Sequence, residues 1–250
     1  MNKIKFRNFI KKILVSLLMI FAVNGSTSAF ARAGGGGHSS SSHSSSSSSS
    51  SSGGGNLFEL IGIFIVLLCI FSAVKFVFKL ILDKRKAKSI SVIKELSQND
   101  NNWNYNNMEK DIEEAFYKVQ AAWMERNQEL AREYMSDKLY NKHKLETKEM
   151  RIKKEINILE DMTLLSDAPI GLQDFKGIDK DYIWVHIRAK SKDYTVDEKT
   201  SKVVEGEAHK IVHFEEYWKF IRNEYRWVLD EIRQTDDIRT LKFFKIKVDN

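Results

Sequence analysis

The sequence predicts an α+β domain, with N-terminal helices packed on one face of a curved four-stranded antiparallel sheet, behind a single transmembrane helix. Three observations predict this. Leu60 to Val74 is an apolar run without a charge. Ile112, Phe116, Val119 and Trp123 repeat at helical spacing. From Ile183 onward the apolar period becomes two, the spacing of half-buried strands.

The N-terminus reads as a secretory signal (residues 1–31). Lys3 to Lys12 form its charged region, Ile13 to Val23 its apolar region, and Ala29-Phe30-Ala31 an A-x-A cleavage site before Arg32. An uncleaved first membrane helix is the alternative. Residues 32–56 are then an extracytoplasmic linker of low complexity, glycine and serine with His38 and His43 inserted, which cannot bury a core. Residues 57–82 form the membrane span. About 20 mainly apolar residues cross a bilayer, and Lys75 and Lys79 reach the headgroups by snorkelling. Lys84, Arg85, Lys86 and Lys88 follow, which places the C-terminal domain in the cytoplasm, against a membrane surface with anionic phospholipid.

Residues 83–107 read as a basic and then Asn-rich linker. Trp103 within it fits the membrane interface, where tryptophan is enriched. Asn106 with Glu109 resembles a capping box and starts the amphipathic helix. A shorter helix covers Gln128 to Met135. Ser136-Asp137 cap a third, with Leu145, Ile152 and Ile156 facing inward. A poor first strand spans Met162 to Phe175, broken near Pro169. Ile183, Val185, Ile187 and Ala189 alternate in the second, and Val212, Phe214, Trp218 and Phe220 share a face of the third. A tight turn at Asn223-Glu224-Tyr225 leads to the fourth, Trp227 to Gln234. Residues 237–250 remain as a tail.

Charge narrows the function. The chain nets +6, but residues 1–32 hold six basic residues and no acid, so the remainder is neutral. A neutral soluble part argues against nucleic acid. Cys69, the single cysteine, lies in the apolar span, so no intrachain disulfide forms. The sequence has no nucleotide, dinucleotide or zinc motif, and no cofactor or metal is expected.

From Phe116 to Gln234 a series of residues resembles one family. It comprises Phe116, Gln120-Ala121-Ala122-Trp123, Val185, Asp193-Tyr194-Thr195-Val196-Asp197-Glu198, a turn-like Val203-Val204-Glu205-Gly206, then Glu216, Trp218, Phe220, Arg222, Trp227, Leu229, Ile232 and Gln234. The family is that of the C-terminal domain of the mitochondrial inner-membrane translocase subunit of 44 kDa, and the resemblance covers residues 108–236. It implies a cone like that of nuclear transport factor 2, an apolar cavity, contact with membrane lipid or with a membrane or translocating protein, and no catalytic residues. The long motor-binding region of the mitochondrial protein has no counterpart here.

The candidate cavity residues are Trp123, Val212, Phe214, Glu216, Trp218 and Phe220. Glu216 shares the apolar strand face, where a carboxylate is costly unless paired. Its expected partner is Arg188, Arg222 or Arg233, or the backbone at the sheet's bend; ligand contact and acid–base catalysis are the alternatives. His209 and His213 fall on the opposite face. Together these features read as a membrane-anchored, non-catalytic binding module. The alternative is an isomerase or dehydratase using the same cone.

Overall fold

Asn104 starts the helical layer. Its side chain accepts from the backbone N–H groups of Asn106 and Asn107, so the cap lies two residues before the expected Asn106 box. The computed structural model describes residues 32–33, 57–176, 180–224, 226–235 and 244–248. The signal segment, His38, His43 and Tyr225 fall outside these residues. The chain divides into two compact units.

In the first unit, the described segment is the start of α1 (Leu57–Leu96) up to Leu80. Phe64, Ile65, Val66, Val74, Phe76 and Val77 expose apolar surface all round, as a helix in lipid does. The helix is long and apolar enough to cross a membrane. Lys75 lies over the ring of Phe71, 4.3 Å from its centroid.

The second unit contains the rest of α1, where Ser89 and Ile93 are buried and Ile93 joins the core. Asp100 caps a 3-10 turn, Asn101–Trp103. Trp103 is fully buried, edge-on to Trp227 at 5.0 Å. The expectation of a membrane-interface tryptophan is therefore corrected: the Asn-rich segment is folded by its side-chain caps, and the core extends upstream of residue 108.

Helix α2 (Tyr105–Met124) buries Ile112, Phe116, Val119 and Trp123. A 3-10 segment, Gln128–Tyr134, follows. Ser136 then caps α3 (Asp137–Lys153) by accepting from Leu139 N–H. The inward stripe of α3 is Leu139, Tyr140, His143 and Thr147, whereas Leu145 and Ile152 are exposed and Ile156 has passed into the first strand. Apolarity alone pointed to the wrong face.

The sheet consists of β1 (Glu155–Asp174), β2 (Tyr182–Asp197), β3 (Val203–Asn223), β4 (Arg226–Gln234) and β5 (Ile246–Val248). Their order is β4-β3-β2-β1-β5. The first four are antiparallel neighbours, and β5 adds a fifth, short strand parallel to β1. β1 begins earlier than its sequence suggested and absorbs Pro169 beside an irregularity at Pro169/Gly171. Glu224, at φ 50, turns the chain between β3 and β4. Val203 to Gly206 is strand rather than turn. The turn precedes it, where Asp197 accepts from Lys199 N–H, Thr200 N–H and the Thr200 hydroxyl.

The two sheet faces bury different things. The inner face sets Ile183, Val185, Ile187, Ala189, Phe214, Trp218, Phe220 and Leu229 in one core with α2; each such side chain contributes about 1.5–3 kcal/mol of burial. On the outer face Trp184 and Tyr217 are buried against Phe244, at 5.3 and 4.7 Å. The Phe244 backbone crosses so close to Gly171 that a Cβ there would sit 2.9 Å from Phe244 Cα.

Candidate functional site

The E-x-W motif is a physical unit. Glu216 and Trp218 lie two apart on β3, so both side chains point inward. The Trp218 indole N–H donates to Glu216 Oε2 at 2.9 Å. Gln234, the register partner of Glu216 on β4, donates to Oε1 at 3.0 Å.

The charged partner of Glu216 is Arg32. Its Nε and Nη2 donate to Glu216 Oε1 at 3.2 and 2.9 Å. Its Nη1 reaches Asp193 Oδ2 at 3.4 Å, and its guanidinium lies over the Phe214 ring, 3.9 Å from the centroid. Ala33, also enclosed, accepts from Gln120 Nε2 at 3.4 Å. Asn157 donates to Asp193 Oδ1 at 2.9 Å. Burial raises Asp193 above the usual carboxylate range, while Asn157 and Arg32 act to lower it. Two carboxylates inside an apolar shell require a cation and hydrogen bonds, and here they have both.

Sequence reasoning named Glu216 as the costly residue but gave it the wrong arginines. Arg188 pairs with Glu215 at 3.2 Å. Arg222 is held by Asp100 and Asp181, at 2.6 and 2.9 Å. Arg233 pairs with Glu231 at 2.6 Å and lies over Trp184. In the sequence Asp193 stands out only as part of a motif; strand parity places it on the face of Ser191 and Thr195.

The other candidates take these positions. Phe214, Glu216, Trp218 and Phe220 are buried on the inner face, and Val212 is half-buried at its rim. Trp123 lies on α2, edge-on to His143 at 5.2 Å. Burial lowers the His143 pKa from 6.5 to about 3, with Lys142 adding to the effect. Trp184 lies on the outer face, against Phe244. His209 and His213 are exposed. His186 is buried and bonded to Glu215 at 3.0 Å.

Lys84, Arg85 and Lys88 line a groove of about 550 Å³ with Ile81, Phe244, Lys245, Ile246 and Lys247. Arg85 donates to the Phe244 carbonyl. Lys86 is exposed and lies outside that lining.

A family model described as the Tim44-like domain matches residues 89–234, more than half of the chain. The chain belongs to the Tim44-like family. Tim44-like domains are typically membrane-associated binding modules of protein translocation, are generally non-catalytic, and have the cone fold seen here. The crystal structure of the intermembrane space region of chloroplast protein ARC6 is similar to this Tim44-like chain at 10% identity and a TM-score of 0.36, covering 50% of this chain and 95% of that one. No curated protein matches the chain.

Proposed function

We propose that this protein is a membrane-anchored, non-catalytic binding module whose cone takes a peptide segment of a membrane or translocating protein. One observation carries the reading: the interior encloses Arg32-Ala33, a bent piece of chain far removed in sequence, through side chains on α2, β2 and β3. An interior that holds a dipeptide by its side chain and a carbonyl has the recognition chemistry of a peptide site. Glu216 and Asp193 are both engaged in holding that cation, which favours binding over acid–base work.

The basic residues after the span put the domain on the cytoplasmic side. The groove at Lys84, Arg85, Lys88, Lys245 and Lys247 then faces anionic phospholipid, each basic residue near the surface contributing about 1 kcal/mol. This orientation places residues 32–56 on the far side of the bilayer. In an inserted chain, Arg32 and the cone are therefore separated, and the interior is open to another protein.

A photocrosslinking side chain at Val212, on the inner rim, tests the proposal in intact membranes. His213, exposed on the opposite face, is the control. Val212 should capture a discrete partner that His213 does not. Equal capture from both positions would remove the cone as the contact surface.

A further inference from the structure

We infer that the cone is a receptor for arginine: it recognises, in a partner's peptide segment, an arginine followed by a small residue. This rests on the peptide-binding reading above and adds its specificity.

Arg32 is fixed by its planar fork. Nε and Nη2 both meet Glu216 Oε1, Nη1 meets Asp193, and the flat face lies on Phe214. Only a guanidinium offers in-plane donors in several directions together with a face that stacks on an aromatic ring; an ammonium offers a point charge. Arg32 and Ala33 have essentially no exposed surface, so the residue after the arginine must be small.

A second observation points to a ligand independently of Arg32. Gln120 Oε1, Asn157 Oδ1, Ser191 Oγ and Thr195 Oγ1 are buried and lack a hydrogen-bond partner among the described residues. Gln120 and Asn157 already hold Ala33 and Asp193 by their amide nitrogens. Thr195 is the register partner of Asn157, and Ser191 is that of Val212. Buried polar atoms left unpaired are costly. This set offers acceptors and hydroxyls to the backbone of a peptide longer than the dipeptide.

The occupant is a partner's segment, because a span at residues 57–82 separates Arg32 from the cone of the same chain. The test uses the full chain in lipid nanodiscs, wild type and Arg32→Ala. The probe is a fluorescent peptide copying residues 29–35, with versions in which its arginine is replaced by lysine or glutamine, or the residue after the arginine, Ala33, by leucine. Both proteins should bind the arginine peptide equally. The lysine and leucine peptides should bind about tenfold more weakly or worse, and the glutamine peptide should not bind. Glu216→Gln should abolish the preference for arginine, and Asp193→Asn serves if that variant does not fold.

Equal binding of the arginine and glutamine peptides would overturn the arginine preference and leave the peptide-binding module standing. Much weaker binding by wild type than by Arg32→Ala would overturn the partner as occupant and assign the seat to this chain's own Arg32. Failure of every peptide to bind, with the domain folded by circular dichroism, would overturn both readings.

Discussion

Two buried arginines lie along β3, one against its middle and the other near its C-terminal end, each held by two carboxylates. Arg222 is bound by Asp181 and Asp100, 41 and 122 positions away. Arg32 is bound by Glu216 and Asp193, 184 and 161 positions away. The chemistry is the same but the attachment differs. Arg222 is part of β3 and ties the 3-10 turn and the start of β2 to it; its own N–H also donates to the Asp181 carbonyl. Arg32 arrives on a short stretch, and the groups it meets have other donors: Trp218, Gln234 and Asn157. The first arrangement is a fastener and the second is a seat. A buried ion pair reveals its role by what remains satisfied when one member leaves.

Replacing Arg222 by Ala should therefore have the largest effect. It leaves Asp181 and Asp100 without their cation in a packed site, at a cost of about 3–5 kcal/mol. Urea unfolding of the full chain in detergent, followed by tryptophan fluorescence, reads this loss. If the cost is below about 1 kcal/mol, the fastener reading fails.

Acid separates the arginine sites from the rest of the domain. Burial raises both Asp181 and Asp193. A raised carboxylate binds its proton in the folded state before the unfolded one, so neither group loses stability as pH falls. His143 has the opposite sign. Its folded pKa is about 3 against 6.5, so its neutral burial stabilises above pH 6.5, and that stability is lost as pH falls through the window down to about 3. Stability should drop by about 3 kcal/mol between pH 7 and pH 4. His143→Gln should flatten this slope, while Arg32→Ala should not alter it. Melting temperatures across that range provide the check.

Gly206 tests how the wall of the seat is built. It has φ +81, and a Cβ there would lie 2.6 Å from the Asp193 carbonyl. Gly206→Ala should cost about 1–3 kcal/mol and weaken arginine-peptide binding by shifting Asp193. Unchanged stability with unchanged binding would show that this bulge does not position the carboxylate.

Arg32→Ala should have the smallest effect on folding, about 1 kcal/mol or less, because on the proposed topology Arg32 lies away from its own cone, where water reaches carboxylates that keep other donors. A loss matching that of Arg222→Ala would erase the contrast and make Arg32 a structural residue.

Much of this was legible from residue order. The helix face at Ile112, Phe116, Val119 and Trp123, the inward set on β3, and the anomaly of Glu216 all follow from periodicity, which burial enforces directly. The partner of Glu216 was not legible, since nothing local links position 32 to position 216 and the nearer arginines were equally plausible by charge. Leu145 and Ile152 misled because α3 turns a polar stripe inward, His143 and Thr147 included, and the Thr147 hydroxyl satisfies itself on the His143 carbonyl. Trp103 misled because its asparagine-rich surroundings read as a linker, whereas Asp100 and Asn104 use their side chains to cap the backbone around it.

The seam where Phe244 crosses Gly171 has a consequence in time. Every residue of β1 to β4 is synthesised before Phe244, so the outer aromatic pair, Trp184 and Tyr217, stays uncovered until the segment that carries Phe244 is made. Domains generally fold as units, and the outer side of this one needs the segment that carries Phe244 to be complete. The long apolar helix, Leu57–Leu96, has left the ribosome before that seam can close. On the proposed topology the anchor is made first, and the seam closes on a domain already tethered to its bilayer.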